Sequence, residues 1–85
     1  MAQNAMNKIH LITAADVNEY RGPYGGTRYS VDASTLGYKP GEVPPTRIPT
    51  TIGNAKEFIM CERIDGHGWR YMQRGTAISL VIWND

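Results

Sequence analysis

The 85-residue sequence is poor in the side chains that build metal and catalytic sites. Its one cysteine, Cys61, excludes an internal disulfide and any cluster of cysteine ligands for a metal. Its two histidines, His10 and His67, have no partner at a spacing typical of metal ligation or general-base catalysis, since Asp65 is only a turn neighbour of His67. Active sites also form from residues distant in sequence, but no spacing here favours one. We therefore expect a non-enzymatic protein with no metal and no cofactor.

The sequence also lacks a charge excess and a long apolar run. Nine basic and eight acidic residues leave a formal net charge of +1, without the basic tail or stripe of a bulk nucleic-acid binder. No stretch of about 18 apolar residues is present, which excludes a membrane-spanning helix. The opening MAQNAMNK has none of the apolar character of a signal peptide. These features predict a cytoplasmic protein without a membrane partner.

Length and composition predict one folded domain over residues 1–85. Hydrophobic residues make up 41% and charged residues 20% of the chain, which is ordinary for a globular protein and excludes wholesale disorder. Residues 1–6 are polar, and we expect them to be frayed. Residues 34–46 are rich in proline and glycine and are expected to form a surface loop.

Residues 56–83 contain most of the strand-forming side chains of the chain. They predict three antiparallel strands, over residues 58–64, 69–74 and 76–83. The DGHG segment at residues 65–68 is a strong turn signal between the first two strands. This part of the chain is therefore expected to form the centre of the fold.

Charge selects the register of the first two strands. A two- or four-residue loop would place Arg63 opposite Arg70, and like charges across a strand pair are unfavourable. A three-residue loop instead places Glu62 opposite Arg70 and Met60 opposite Met72. We therefore predict the three-residue loop.

This register, with a second turn at residues 74 and 75, divides the strands into two faces and sets Tyr71 opposite Ile78 and Trp69 opposite Leu80. The predicted core face carries Ile59, Cys61, Trp69, Tyr71, Ile78, Leu80 and Ile82, with Arg63 and Gln73 towards its ends. The second face carries Phe58, Met60, Met72, Ala77, Val81 and Trp83 together with Glu62, Arg70, Arg74 and Ser79. On the core face, the cysteine is expected to behave as a small hydrophobe and not as a nucleophile.

The N-terminal part of the chain predicts a short strand followed by a helix. Residues 8–12 have strand character. Thr13 has the chemistry of an N-cap with Asp16 at the third helical position, and Gly22 suits the position after the C-terminus. We therefore predict a helix over residues 14–21.

The middle of the chain predicts two further strands. Residues 27–33 alternate between apolar and polar side chains, which indicates a half-buried strand. Residues 47–52 predict an edge strand, because Pro49 cannot donate to a central ladder. The elements together predict a small single α+β domain, with an antiparallel sheet of about five strands and one short N-terminal helix. An all-β fold, in which the helix is reduced to a turn, is the alternative.

The second sheet face indicates a function. It is too apolar to be fully solvated, and its Met, Phe and Trp side chains with interspersed Arg match the composition of a protein interface. The chain could cover both sheet faces only if the short helix covered one face and the proline-rich loop covered the other. We do not expect such complete coverage. The sequence therefore predicts a small interaction module, in the style of phage-encoded accessory or inhibitor proteins, that binds a larger protein or forms a homodimer. The predicted partner-binding residues are Phe58, Met60, Arg70, Met72, Arg74, Val81 and Trp83.

A weak single-stranded nucleic-acid or nucleotide binder is the alternative, because arginines and aromatic residues occur together in residues 63–83. In the predicted register, however, Trp69 and Tyr71 face the core while Arg70 and Arg74 face outward. This separation of most aromatics from the charges makes nucleic acid the less favoured partner.

The RGPYGGTR loop at residues 21–28 is a second ligand candidate. Its glycines would let backbone N–H groups approach a phosphate, so the candidate ligand residues are Arg21, Gly25, Gly26 and Arg28. The loop precedes a strand instead of opening a helix, and it matches neither dinucleotide-binding nor phosphate-loop geometry. A flexible connector is the simpler interpretation.

Overall fold

The computed structural model describes residues 10–23 and 25–84. They form a sheet of six strands and two short 3₁₀ helices, Ala14–Asp16 and Ala33–Leu36. The strands are β1 (Asn18–Tyr20), β2 (Thr27–Asp32), β3 (Arg47–Pro49), β4 (Glu57–Ile64), β5 (Gly68–Met72) and β6 (Ile78–Trp83).

The strands lie in the order β1-β2-β6-β5-β4-β3. All neighbouring pairs are antiparallel except β2 and β6, which run parallel. The sheet is therefore mixed, and β6 lies inside it between β2 and β5. β3 is an edge strand, as predicted for residues 47–52, but it ends at Pro49.

The predicted helix over residues 14–21 is wrong, because a single 3₁₀ turn leads into β1. The helix-start signals are present, since the Thr13 backbone N–H and hydroxyl donate to Asp16 Oδ2 at 2.9 and 3.2 Å. A two-turn helix has little stability of its own, whereas each residue of β1 pairs with β2. The described residues contain no α-helix, so the all-β alternative fits this small, mostly sheet domain better than the α+β class.

Ile12 extends the sheet beyond β3. Its backbone N–H donates to Pro49 O at 2.9 Å, and the Thr51 N–H donates to Ile12 O at 3.1 Å. The Thr50 N–H points the other way and donates to Lys56 O at 2.9 Å, on the side of β4. Ile12 therefore occupies the open edge of β3. Of the predicted strand at residues 8–12, residues 8 and 9 lie outside the described residues.

The sheet curls, because Asn18 pairs with β2 at the opposite edge only six residues after Ile12. Six residues span at most about 21 Å when fully extended. Six strand spacings in a flat sheet would require about 29 Å. The two edges are therefore drawn towards each other, and the sheet has a concave face and a convex face.

The core lies on the concave face. Its buried apolar side chains are Ile12, Val31, Ala33, Leu36, Tyr38, Ile48, Ile52, Phe58, Trp69, Tyr71, Leu80 and Ile82. Residues 34–46, predicted as a surface loop, cover this core. Leu36, Tyr38 and Pro44 are buried, and most of the residues around them are exposed. The Tyr71 hydroxyl donates to Pro45 O at 2.7 Å and ties the cover to the sheet.

The predicted three-residue turn between β4 and β5 is confirmed, and Glu62 lies opposite Arg70 as expected. A bulge between Met60 and Glu62 then adds a residue to β4. Met60 consequently lies opposite Tyr71, and the predicted pairing of Met60 with Met72 is wrong. The bulge has no signature in the charge pattern on which the register was based.

The bulge reverses the faces of the first half of β4, because side chains alternate with a period of two. Phe58, predicted on the second face, is fully buried, and Met60 packs against the core. Ile59, predicted in the core, lies on the convex face opposite Met72. Cys61, also predicted in the core, is exposed.

The second turn is two residues out of register with the prediction. Trp69 lies opposite Ile82 instead of Leu80, and Tyr71 lies opposite Leu80 instead of Ile78. A shift of two residues keeps every side chain on its face. The predicted core positions of β5 and β6 are therefore confirmed, and Gln73 is buried at the end of β5.

The exposure of Cys61 is directly testable. We expect one thiol per native protein to react with dithiobis(nitrobenzoate) in the absence of denaturant, because the Cys61 side chain lies on a solvent-exposed bulge. Adding guanidinium should then reveal no further thiol. A thiol that reacts only after unfolding would return Cys61 to the core.

The buried phenol of Tyr71 predicts alkaline sensitivity. Burial, and to a lesser extent the charge of Tyr38, raises the pKa of Tyr71 well above its ordinary value. In the unfolded chain the phenol ionises near pH 10, so its contribution to stability is complete below that pH and declines as the pH rises above it. We expect Tyr71→Phe to lower the free energy of unfolding at neutral pH by about 1–3 kcal/mol, since it leaves the Pro45 carbonyl unpaired.

At about pH 10.5 the loss caused by Tyr71→Phe should be smaller by roughly 0.8 kcal/mol, because the variant has no phenol at this position to ionise on unfolding. Urea unfolding of both proteins at the two pH values measures the difference. An identical loss at both pH values contradicts the expectation.

Candidate functional site

The convex face of the sheet, here called the outer face, has no buried side chain in the described part of the chain. Cross-strand partners share a face, so the register assigns its members. The outer-face side chains of the four inner strands and β1 are Asn18, Tyr20, Arg28, Ser30, Asp32, Glu57, Ile59, Glu62, Ile64, Arg70, Met72, Ser79, Val81 and Trp83. The loops that cover the core lie on the other side of the sheet.

A groove runs along the outer face where β1, β2 and β6 meet. It has a volume of about 330 Å³ and lies between Tyr20 and Trp83, which are 59% and 41% exposed. Val81 and Ser30 lie opposite each other on the parallel strand pair and line the groove together with Arg28. We call this the aromatic groove. Apolar side chains that are exposed together around a concavity are a common feature of binding sites, whereas single exposed ones are normal on protein surfaces.

Two arginines continue the surface towards the middle of the sheet. Arg28 and Arg70 line a smaller recess of about 240 Å³ with Ser79 and Val81. Arg70 Nη1 lies 3.7 Å from Glu62 Oε1 in an exposed pair, which contributes little to stability. Arg28 forms no ion pair with another described residue, so its charge is available to a ligand.

Four of the predicted partner-binding residues, Arg70, Met72, Val81 and Trp83, share the outer face. Phe58 and Met60 do not, because the bulge in β4 turns them towards the core. Arg74 lies in the turn after β5, where it lines a separate cleft.

Sequence reasoning missed Tyr20 and Ile59 as surface residues. Tyr20 was assigned to the predicted helix, and the sequence from Val17 to Tyr20 has no alternation that would have indicated a strand instead. Ile59 was misplaced by the bulge. The most exposed aromatic side chain of the groove was therefore not among the predicted residues.

The glycine loop does not gather its four candidate residues around a ligand. Arg21 Nε bonds to Glu19 Oε2 at 2.6 Å, while Arg28 lies on the outer face. Gly25 and Gly26 both have a positive φ, near 79° and 76°. A Cβ at Gly26 would lie 2.8 Å from Ala77 O, so this glycine allows β2 to approach β6 closely. Tyr24 lies outside the described residues.

The histidines and the cysteine do not assemble a reactive centre. His10 Nε2 lies 3.6 Å from Asp16 Oδ2, an oxygen that already accepts from Thr13. The backbone hydrogen bond from Thr13 lowers the pKa of Asp16, which marks this carboxylate as a cap of the 3₁₀ turn. The exposed Cys61 thiol donates to Arg70 O at 3.4 Å. Within residues 10–23 and 25–84, no three His, Cys, Asp or Glu side chains are grouped to hold a metal.

No helix in the described chain is long and apolar enough to cross a membrane. No protein-family model, curated protein or solved structure matches the chain. The functional assignment therefore rests on the geometry and chemistry of the outer face itself.

Two glycine substitutions test whether the close approach of β2 to β6 requires a glycine at residue 26. Gly26→Ala should lower the free energy of unfolding by roughly 2–4 kcal/mol, because the new Cβ is strained at positive φ and also meets the Ala77 carbonyl. Gly25→Ala has open space and should cost only the strain, about 1–2 kcal/mol. Thermal and urea unfolding measure both. Equal losses would show that the approach of β2 to β6 does not require a glycine.

Proposed function

We propose that the chain is a small non-enzymatic interaction module that docks its outer face onto another protein. The single observation behind this proposal is the aromatic groove, where Tyr20 and Trp83 remain exposed on a sheet face on which no described side chain is buried. Tyr, Trp and Arg are the side chains that most often dominate the binding energy of protein interfaces. Tyr20, Trp83 and Arg28 line the groove, and Arg70 lies in the recess beside it.

The shape of the outer face argues for a docked segment of a partner. The aromatic groove is a concavity between Tyr20 and Trp83 that an extended segment can enter. Because the groove lies towards one edge of the sheet, such a segment can fill it and continue beyond the sheet.

The groove also specifies the chemistry of the segment. Its walls are mostly apolar and accept a large apolar side chain, with Val81 between Tyr20 and Trp83. Arg28 lies in the same wall without a counter-charge among the described residues. A carboxylate next to the apolar side chain of the partner would pair with this guanidinium, and Arg binds carboxylates in two-pronged geometry. The proposed ligand is an extended segment with an apolar residue flanked by acidic ones.

The size of the chain supports an accessory or inhibitory role, in which one small domain occupies a surface of a larger protein. Its lone exposed cysteine is compatible with a reducing compartment, and we place the module in the cytoplasm.

A single-stranded nucleic acid is the second candidate, because Arg28 and Arg70 share a face with two exposed aromatics. Such surfaces stack bases while cations hold the backbone. The outward-facing strand residues, however, balance three cations, Arg28, Arg47 and Arg70, against three carboxylates, Asp32, Glu57 and Glu62. A surface without net charge favours a protein partner over a polyanion.

The proposal predicts a selectable peptide motif. A displayed library of random peptides of about ten residues, long enough at 3.3 Å per residue to cross the sheet, should enrich sequences with a large apolar residue beside Asp or Glu. Tyr20→Ala and Arg28→Glu should each weaken the selected peptides by about tenfold or more, since truncated anchor residues typically cost above 1 kcal/mol. Fluorescence anisotropy with labelled peptides measures the affinities.

Lys39→Glu is the matched control, because it reverses an exposed charge on the loop that covers the opposite side. It should leave peptide affinity unchanged. Peptides that bind all three variants alike would contradict docking in the groove. A single-stranded oligonucleotide that binds tightly, with an affinity that falls steeply as salt rises and is lost in Arg28→Glu, would replace the protein partner with nucleic acid.

A further inference from the structure

A second cleft lies at the other edge of the sheet, away from the aromatic groove. It has a volume of about 450 Å³, within the usual range for small-molecule sites. Three separate segments bring cations to it: Arg47 from β3, Lys56 from the chain before β4, and Arg74 from the turn after β5. We call it the cationic cleft. The convergence of three cations from distant parts of the sequence is not explained by the proposed docking function.

The cations of this cleft are poorly neutralised. Among the described residues, Glu57 is the one carboxylate in its wall, and its Oε2 bonds to Arg47 Nη1 at 2.7 Å. Lys56 and Arg74 form no ion pair with another described residue. The formal charge of the lining side chains is therefore +2, in a chain whose total is only +1.

The existing ion pair does not close the site to a ligand. The Arg47 and Glu57 side chains are 63% and 37% exposed, and ion pairs this exposed are weak. The contact also involves one guanidinium nitrogen, whereas arginine carries five N–H donors. Arg47 can thus donate to a ligand while it remains beside Glu57.

The charge of the cleft matches a phosphate monoester. Such a group carries about −1.5 to −2 charges at neutral pH and accepts hydrogen bonds on three oxygens. A carboxylate would leave half of the cationic charge unneutralised. The remaining wall is apolar, formed by Pro49, Ala55 and the half-buried Ile59. This surface suits an uncharged ring or chain attached to the phosphate.

We propose that the cationic cleft binds a small phosphorylated molecule. Lys56, Arg74 and Arg47 hold the phosphate, and the side chains of Ile59 and Pro49 contact the body of the ligand. The cationic cleft shares no lining residue with the aromatic groove. An experiment that rejects one of the two proposals therefore leaves the other unaffected.

Titrations followed by amide NMR shifts test this assignment, with adenosine monophosphate as the probe. We expect saturating shifts confined to the amides of residues 47, 48, 55–59 and 74. Adenosine lacks the phosphate and should not cause shifts that saturate. Inorganic phosphate should shift the same amides, with a weaker affinity. Affinity should fall as the pH drops from about 7 to about 5, because the second phosphate proton binds near pH 6.

Two variants change the affinity in opposite directions. Combined Lys56→Ala and Arg74→Ala should weaken binding by about tenfold or more, through loss of two charge-assisted hydrogen bonds. Glu57→Gln should strengthen it several-fold, since it removes the one carboxylate of the cleft. Combined Lys39→Ala and Arg63→Ala removes the same charge elsewhere and should have no effect. The spread of amide signals in each variant verifies that it is folded.

Three results would overturn the proposal. Shifts that grow linearly without saturation would indicate only diffuse attraction of anions. Equal weakening by the Lys39 and Arg63 control would indicate a response to net charge. Saturation by a single-stranded oligonucleotide together with none by adenosine monophosphate would assign the cations to a nucleic-acid backbone.

Discussion

The two backbone hydrogen bonds between Ile12 and the open edge at residues 49–51 constrain the shape of the sheet. They hold one end of a short chain segment at β3, while the other end pairs with β2 at the far edge. Because that segment is too short to cross a flat sheet, the sheet must curl around its core. The irregular segments at residues 33–46 and 50–56 then contribute their buried side chains to the concave side. None of them covers the outer face, which is why the aromatic groove is open.

The bulge at Cys61 determines which side chains β4 contributes to each face. Without it, Phe58 would lie on the outer face and Ile59 in the core. With it, the core gains the larger ring, and the half-buried Ile59 becomes part of the cationic cleft. Bulges bend a strand as well as shift its register. One extra residue therefore affects both the packing of the core and the composition of the surface at that edge.

Sequence reasoning succeeded where the information was local. The repulsion between Arg63 and Arg70 predicted the three-residue turn, and alternation predicted the faces of β5 and β6. It failed where distant segments decide the outcome. The pairing of Asn18–Tyr20 with β2 replaced a locally well-marked helix start, and no local signal indicates that β2 runs parallel to β6. The outer-face positions of Arg70, Met72, Val81 and Trp83 were predicted, whereas Tyr20 required the structure.

The position of β6 affects how the chain can fold. β1 and β2 pair with each other, and β3, β4 and β5 form a connected meander. Among the described strands, β6 is the one that lies between these two parts in the sheet, and Ile12 also contacts the edge of β3. During synthesis the two parts therefore emerge before the strand that unites them. Sheet assembly must wait for residues 78–83, and pairings between distant segments form slowly. Until then, the edges of β2 and β5 are both unpaired, which makes the incomplete chain prone to association with other strands.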